Sequence, residues 1–221
     1  MPNKKLKGGL GATAHGFDEA WVYYGGGADY FTRRTVQGRG PVSWWHNREY
    51  RAQDAGYTED FVVQHAIEFI REQKQQPFFC YVPFNACHSP MQAPDGLFAK
   101  YTKLGFEPKT AAVYAMIENL DANVGRMLVK LDALGLAENT LVMFATDNGP
   151  NTPRFNGGMR GGKGSLFEGG QRVPCFIRWP GKLEAGKRVS QIAQHVDVLP
   201  TLLDLVGVPL PATRPLDGVS L

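Results

Sequence analysis

The sequence predicts an α/β domain with a mainly parallel sheet flanked by helices. The longest element is an amphipathic helix over residues 110–134, in which apolar side chains recur every three or four positions. Short apolar segments of strand length precede and follow it, at 78–84 and 140–146. Strand, helix and strand in this order form a βαβ unit with a right-handed crossover, and ligands bind beyond the carboxyl ends of its strands.

The other elements are predicted in chain order. Residues 1–57 mix glycine, aromatic and polar residues without a period, so we expect them to be largely irregular. Thr58 is suited to cap a helix whose first turn carries Glu59 and Asp60, because acidic side chains stabilise the positive end of the helix dipole. Gly135 can adopt the left-handed conformation that ends the long helix. A third strand is predicted at 173–179, and a further helix at 198–206.

Composition narrows the class of protein. The 221 residues suffice for one domain, or most of one, and 24 Lys and Arg against 21 Asp and Glu leave a net charge of only +3. This balance argues against nucleic acid as a partner. No apolar run approaches the roughly 18 residues that cross a bilayer, so we expect no membrane partner. The first 15 residues lack the apolar stretch of a secretory signal, and the compartment stays open.

Asp147 and Asn148 directly follow the predicted strand at 140–146. Asp-Asn-Gly is typical of a tight turn, although the prolines that follow do not suit a returning strand. The alternative is a site for a hard cation, because carboxylate and amide oxygens suit Ca²⁺ or Mg²⁺. Two donors are fewer than the six to eight that Ca²⁺ takes, so other ligands would have to come from elsewhere.

His88 and Lys163 are the other candidate functional residues. His88 follows the strand predicted at 78–84 and either makes structural hydrogen bonds or has a functional role, in which it transfers protons or binds an anion. Lys163 lies in the glycine-rich segment 157–170, which nearly matches a P-loop. Gly164 stands where that motif requires Ser or Thr, so we reject nucleotide binding. Lys163 is then either a solvated lysine in a flexible loop or a point charge facing an anionic oxygen.

Several ordered stretches resemble the sulfatase family, of arylsulfatase type, in the alkaline-phosphatase superfamily. The resemblance covers nearly the whole chain. The matching stretches are His15-Gly16-Phe17-Asp18-Glu19, Asn85-Ala86-Cys87-His88-Ser89-Pro90, Leu120-Asp121-Ala122-Asn123-Val124-Gly125-Arg126, Thr146-Asp147-Asn148-Gly149, Arg160-Gly161-Gly162-Lys163-Gly164, Arg178-Trp179-Pro180-Gly181 and Asp197-Val198-Leu199-Pro200-Thr201.

The resemblance implies a fold, a reaction and roles. It implies an alkaline-phosphatase-like domain that hydrolyses sulfate esters of small molecules or sulfated glycans, with Ca²⁺ in preference to Mg²⁺. Asp147 and Asn148 would be metal ligands. Lys163 would bind the sulfate and neutralise its charge, and His88 would contact the sulfate and help protonate the leaving oxygen. The family's nucleophile is a formylglycine made within a Cys/Ser-x-Pro-x-Arg motif.

The sequence also departs from the family pattern. None of Cys80, Cys87 and Cys175 stands in the nucleophile motif, no serine version occurs, and the early pair of aspartates is absent. Cys87 replaces the proline that commonly precedes the site histidine. We therefore predict that residues 1–221 form an incomplete domain, without the N-terminal nucleophile region and the C-terminal subdomain, and that the isolated chain is inactive. The alternatives are a phosphoester or phosphonate hydrolase of the same superfamily and a non-catalytic remnant domain.

Overall fold

The computed structural model describes residues 11–23, 27–34, 44–51, 56–210 and 215–221. The chain divides into two compact units, residues 1–183 and 184–221. The described strands are β1 (Trp21–Tyr23), β2 (Trp44–His46), β3 (Glu49–Arg51), β4 (Val142–Ala145) and β5 (Cys175–Arg178). The described α-helices are α1 (Thr58–Glu72), α2 (Asp95–Lys103), α3 (Pro108–Ala133), α4 (Glu168–Gln171) and α5 (Val198–Leu205).

The N-terminal part contains a small antiparallel sheet in the order β1-β2-β3. The sequence indicated irregular chain over 1–57, and the described residues there include these three strands. Each strand has only three residues, too few to display the alternating pattern by which strands are recognised. The indole of Trp21 stacks between the imidazoles of His46 and His65, with ring centroids 4.2 Å and 3.8 Å apart, which joins the sheet to α1.

Helix α3 is the main support of the larger unit, and it confirms the helix predicted at 110–134. Its first turn is capped by the carboxylate of Glu107, which accepts hydrogen bonds from the amides of Lys109 (3.2 Å) and Thr110 (2.8 Å). Gly135 follows with a φ of 68°, as expected for a left-handed end. The buried face of α3 contributes Ala115 and Met116 to a core cluster. The other buried members of that cluster are Tyr30, Tyr57 and Ala93.

Helix α1 also confirms its prediction, with one correction at its start. Tyr57, not Thr58, occupies the capping position, and no side chain caps the helix. The hydroxyl of Thr58 instead donates to the carbonyl of Tyr30 at 2.8 Å. The carboxylate of Asp60 accepts hydrogen bonds from the side-chain amides of Asn119 (3.0 Å) and Asn123 (2.7 Å), which fixes α1 against α3.

The strand arrangement differs from the predicted parallel βαβ unit, although helices and strands together form an α/β domain. β4 and β5 confirm the strands predicted at 140–146 and 173–179, but they pair antiparallel, with Val142 opposite Arg178 and Ala145 opposite Cys175. Residues 78–84 form no strand in the structure. A strand needs a neighbour to bond, and no described strand pairs with this segment. Among the described strands every pair is antiparallel.

The smaller unit contains α5, which confirms the helix predicted at 198–206. The carboxylate of Asp197 precedes α5 and accepts hydrogen bonds from the amides of Gln194 (2.7 Å) and Val219 (2.9 Å). These two bonds hold the pKa of Asp197 below its usual value and link α5 to the last residues of the chain. No described helix of either unit has the length and apolar character to cross a bilayer.

The core cluster provides a test of the fold. Met116 is fully buried, so Met116→Ala should lower the free energy of unfolding by about 2–5 kcal/mol through lost burial and a residual cavity. Val129, on the same helix, is 66% exposed, and Val129→Ala should change the stability by less than about 0.5 kcal/mol. Urea unfolding of both variants measures this difference, and equal effects would contradict the described packing of α3.

Candidate active site

Strand β4 ends at Ala145 and delivers Asp147 and Asn148 to the surface. Asp147 is exposed and Asn148 is half-buried. One carboxylate oxygen of Asp147, Oδ1, accepts hydrogen bonds from the backbone amide (2.9 Å) and the side-chain amide (3.1 Å) of Asn148. The other oxygens, Asp147 Oδ2 and Asn148 Oδ1, accept none from the described residues. Two oxygen donors are therefore presented side by side.

The glycine-rich segment lies directly against this loop. The amide of Lys163 donates to the carbonyl of Pro150 at 2.8 Å, and the amide of Gly149 donates to the carbonyl of Gly170 at 3.0 Å. A Cβ atom at Gly149 would overlap the carbonyl oxygen of Gly169. The close approach of the two backbones therefore requires glycine, and it places Lys163 beside the residues that follow β4.

The side chain of Lys163 is exposed. Its ammonium forms no ion pair with another described residue. The neighbouring basic residue Arg160 differs, since its guanidinium lies 3.8 Å from the ring centroid of Phe167. Lys163 is thus a positive charge in a glycine-rich loop that is available to an anion.

His88 projects from a tight loop over residues 85–90. The amide of His88 donates to the carbonyl of Asn85 at 2.8 Å, and the hydroxyl of Tyr30 donates to that carbonyl at 2.7 Å. The imidazole Nδ1 of His88 lies 2.9 Å from the carbonyl oxygen of Ser89. Because a carbonyl only accepts, Nδ1 carries the proton in this bond and Nε2 is the nitrogen left for other partners.

The His88 loop lies close enough to the loop after β4 for charges of the second loop to act on Cys87 in the first. Burial raises the pKa of the Cys87 thiol, the positive charge of Arg154 opposes this rise, and the carboxylates of Glu59 and Asp147 add to it. Charges at positions 147 and 154 therefore act on a side chain adjacent to His88. The structure brings the loops of all four predicted site residues to one region of the larger unit.

Glu59 also lies in this region, although its sequence pattern did not predict it there. Its side chain is fully buried, and its Oε1 accepts hydrogen bonds from the amides of Asn85 (3.1 Å) and Ala86 (2.7 Å). Its Oε2 is buried without a hydrogen-bond partner among the described residues. Burial raises the pKa of Glu59 to about 7, although the two amides act to lower it. A glutamate in a first helical turn is expected to face solvent near the helix dipole, and no feature of the sequence distinguishes this one.

The donor set fits only part of the coordination shell of the metal that the family resemblance implies. The described residues contain no group of three or more His, Cys, Asp and Glu side chains arranged to hold a metal ion. The adjacent carboxylate and amide oxygens of Asp147 and Asn148 have the chemistry that a hard cation prefers. They fit such an ion as two of its ligands.

Comparison with known proteins assigns the chain to a family. The family model described as Sulfatase matches residues 4–208, and the chain therefore belongs to the sulfatase family. This membership also confirms the predicted alkaline-phosphatase-like fold class. Sulfatases are generally metal-dependent.

The curated relatives are sulfatases of several kinds. The chain is 36% identical over 183 residues to the steryl-sulfatase of Mus musculus, which covers 77% of this chain and 28% of the relative. It is 36% identical over 167 residues to the N-acetylgalactosamine-6-sulfatase of Canis lupus familiaris, which covers 72% of this chain and 31% of the relative. It is 33% identical over 213 residues to the uncharacterized sulfatase YdeN of Escherichia coli, which covers 92% of this chain and 37% of the relative. The chain spans about a third of the length of these curated relatives.

Solved structures show the same relationship. Ps i-CgsB matches with a TM-score of 0.84 at 31% identity, over 94% of this chain and 49% of that one. The putative sulfatase yidJ from Bacteroides fragilis matches with a TM-score of 0.70 at 26% identity, over 87% of this chain and 44% of that one. The described fold thus corresponds to about half of each solved chain.

The contact between the two loops predicts a specific sensitivity at Gly149. Gly149→Ala would place a methyl group on the carbonyl of Gly169, and the free energy of unfolding should fall by about 1–3 kcal/mol. Gly125, within α3, is the matched control, since a Cβ atom there would meet open space. Gly125→Ala should therefore stabilise the helix by about 0.5–1 kcal/mol. Chemical unfolding measures both, and a tolerated alanine at 149 would show that the loops are further apart than described.

Burial of Glu59 predicts a pH-dependent stability. The folded pKa of about 7 lies above the ordinary 4.5, so the folded state holds this proton more tightly than the unfolded state. The resulting stabilisation is complete below pH 4.5 and is lost as the pH rises through 7, by at most about 3 kcal/mol. The difference in unfolding free energy between wild type and Glu59→Gln, measured from pH 4.5 to 8, should fall by this amount. A difference independent of pH would contradict the burial of the carboxyl group.

Proposed function

We propose that this chain contributes to the active site of a sulfuric ester hydrolase, with His88, Lys163, Asp147 and Asn148 as its functional residues. The observation that carries the proposal is the backbone pairing of the loops that contain Asp147 and Lys163, through the 2.8 Å bond from Lys163 to Pro150. Membership of the sulfatase family supplies the reaction class. Oxygen donors and a lysine ammonium at one place suit a sulfate group, whose oxygens carry the negative charge.

Asp147 and Asn148 would hold the metal ion, with Ca²⁺ preferred over Mg²⁺. Ca²⁺ accepts a larger and less regular set of oxygen ligands, which suits two adjacent side chains on an exposed loop. When bound, the cation neutralises charge on the sulfate oxygens as a Lewis acid. The second carboxylate oxygen of Asp147 is the donor best placed to receive it, because Oδ1 is occupied by the amides of Asn148.

Lys163 would bind a sulfate oxygen and offset the charge that grows on it. Its ammonium is exposed to an incoming anion, and the hydrogen bond of its backbone amide to Pro150 holds the base of the side chain beside the loop after β4. A lysine acts here as a point charge and tolerates the changing geometry at sulfur.

His88 would donate a proton to the leaving oxygen. Its Nδ1 is held by the carbonyl of Ser89, so Nε2 is the atom that can carry a proton to the substrate. Cys87 beside it is an unreactive neighbour in this proposal, since burial keeps the pKa of its thiol raised. The nucleophile motif of the family is absent from the sequence, so the proposal gives this chain binding and proton-donating roles.

The substrate class follows from the same chemistry. The curated relatives include a steryl-sulfatase and an N-acetylgalactosamine-6-sulfatase, and one solved relative is a complex with k-i-k-neocarrahexaose. We propose a sulfate ester of a small molecule or of a sulfated glycan as the ligand of the four residues.

Binding of inorganic sulfate tests these roles without requiring turnover. In the presence of Ca²⁺, Lys163→Met should weaken sulfate affinity about tenfold or more, because a charge-assisted bond is lost. Asp147→Asn should remove the dependence of sulfate binding on Ca²⁺. Lys103→Met, at an exposed position of α2, is the matched control and should leave affinity unchanged. Calorimetry measures all three.

Two results would contradict the proposal. Sulfate affinity equal in wild type and Lys163→Met would remove Lys163 from the site. Phosphate bound clearly more tightly than sulfate would favour the phosphoester hydrolase alternative, since both anions suit a metal and a lysine.

A chromogenic aryl sulfate added with Ca²⁺ should not be turned over by this chain, and rapid turnover would show that it supplies a nucleophile of its own.

A further inference from the structure

The carboxylate of Glu59 lies beneath the loop that carries His88. It is fully buried, and it accepts the amides of Asn85 and Ala86, three and two residues before the histidine. Both bonds go to Oε1, at 3.1 Å and 2.7 Å. A single carboxylate oxygen therefore fixes two consecutive peptide units at the start of the loop.

The helix that carries Glu59 is itself tied to the same loop by a second route. The carbonyl of Tyr30 accepts hydrogen bonds from the amide and the hydroxyl of Thr58, both at 2.8 Å. The hydroxyl of Tyr30 donates to the carbonyl of Asn85 at 2.7 Å and lies 3.1 Å from the carbonyl of His88. The first turn of α1 is thus linked to the loop in two ways. Glu59 accepts hydrogen bonds from amides of the loop, and Tyr30, which Thr58 binds, donates to its carbonyls.

Among the described residues, the titratable groups whose charges interact with that of Glu59 are phenols, a thiol and a carboxylate. The charge of Glu59 acts on titratable side chains of the first sheet, of the segments before α1 and of the His88 loop. Within α1, the charge of Asp60 acts on Glu59. These groups are Tyr23, Tyr30, Tyr57, Asp60 and Cys87. In such surroundings the two backbone amides are the main stabilisation of the ionised carboxylate.

We infer that Glu59 is a positioning residue for His88, and that gain of a proton by its carboxylate weakens the anchor of the loop. The ionised form binds both amides by charge-assisted hydrogen bonds, which are stronger than those to a neutral acid. The neutral form still accepts from them, but less strongly. Orientation of the imidazole should therefore tighten as the pH rises through neutrality. The catalytic importance of this orientation rests on the proposed function, whereas the anchoring itself does not.

The amide signals of Asn85 and Ala86 test the anchor directly. In ¹H–¹⁵N spectra from pH 5.5 to 8.5, both amides should shift together with a midpoint at about 7 in the wild type. In Glu59→Gln the shift should disappear while the bonds remain, because the side-chain carbonyl still accepts. Glu72→Gln, on the exposed end of the same helix, is the matched control and should retain the wild-type titration.

The side chain of His88 provides the second readout. The ¹⁵N shifts of its ring report whether Nδ1 carries the proton. Glu59→Gln should keep this tautomer, whereas Glu59→Ala should give a mixture and should speed hydrogen exchange at Ala86 at least tenfold. If Glu59→Ala does not fold, the pH titration of wild type against Glu59→Gln decides the question. Circular dichroism establishes folding for each variant.

Two outcomes would overturn the inference. Amides of Asn85 and Ala86 that titrate equally in wild type and in Glu59→Gln would place the source of the shift in another group. A folded Glu59→Ala with the wild-type tautomer at His88 would show that the carboxylate does not position the ring. Neither measurement needs metal, sulfate or turnover, so failure here is distinct from failure of Lys163→Met to weaken sulfate binding.

Discussion

The candidate site depends on one backbone contact, in which the loop after β4 is hydrogen-bonded to the glycine-rich segment. Gly149 donates to Gly170, and Lys163 donates to Pro150, at 3.0 Å and 2.8 Å. Because the two backbones meet without side chains between them, main-chain geometry sets the relative positions of the two loops that carry Asp147 and Lys163. This arrangement fixes their relative position more rigidly than an ion pair between long side chains would.

The His88 loop is the third loop of this region, and buried side chains hold its backbone. Its amides bond to a buried carboxylate, and its carbonyls receive the hydroxyl of Tyr30. Each of these partners is fully buried, so the loop is supported by the packed interior while the imidazole of His88 faces solvent. Preorganisation of this kind is what a site needs in order to stabilise charge without reorganising.

The sequence predicted the helices better than the pairing of strands. Asp147 and Asn148 follow β4, as the strand predicted at 140–146 implied, and their function stays a prediction based on the place where ligands gather in such sheets. The antiparallel pairing of β4 with β5 depends on the path of the intervening chain, which local periodicity does not encode. Glu59 could not be found from sequence, because a buried glutamate and a solvent-facing one in a first helical turn have the same local pattern.

The most direct test of the account is the distance from a bound cation to each loop. Mn²⁺ accepts the same oxygen donors as Ca²⁺ and broadens nuclear resonances close to it. At substoichiometric Mn²⁺, the account predicts broadening of the amides at 147–149, 162–164 and 87–88 together, and its loss in Asp147→Asn. Broadening at 147–149 with sharp signals at 163 and 88 would contradict a common site.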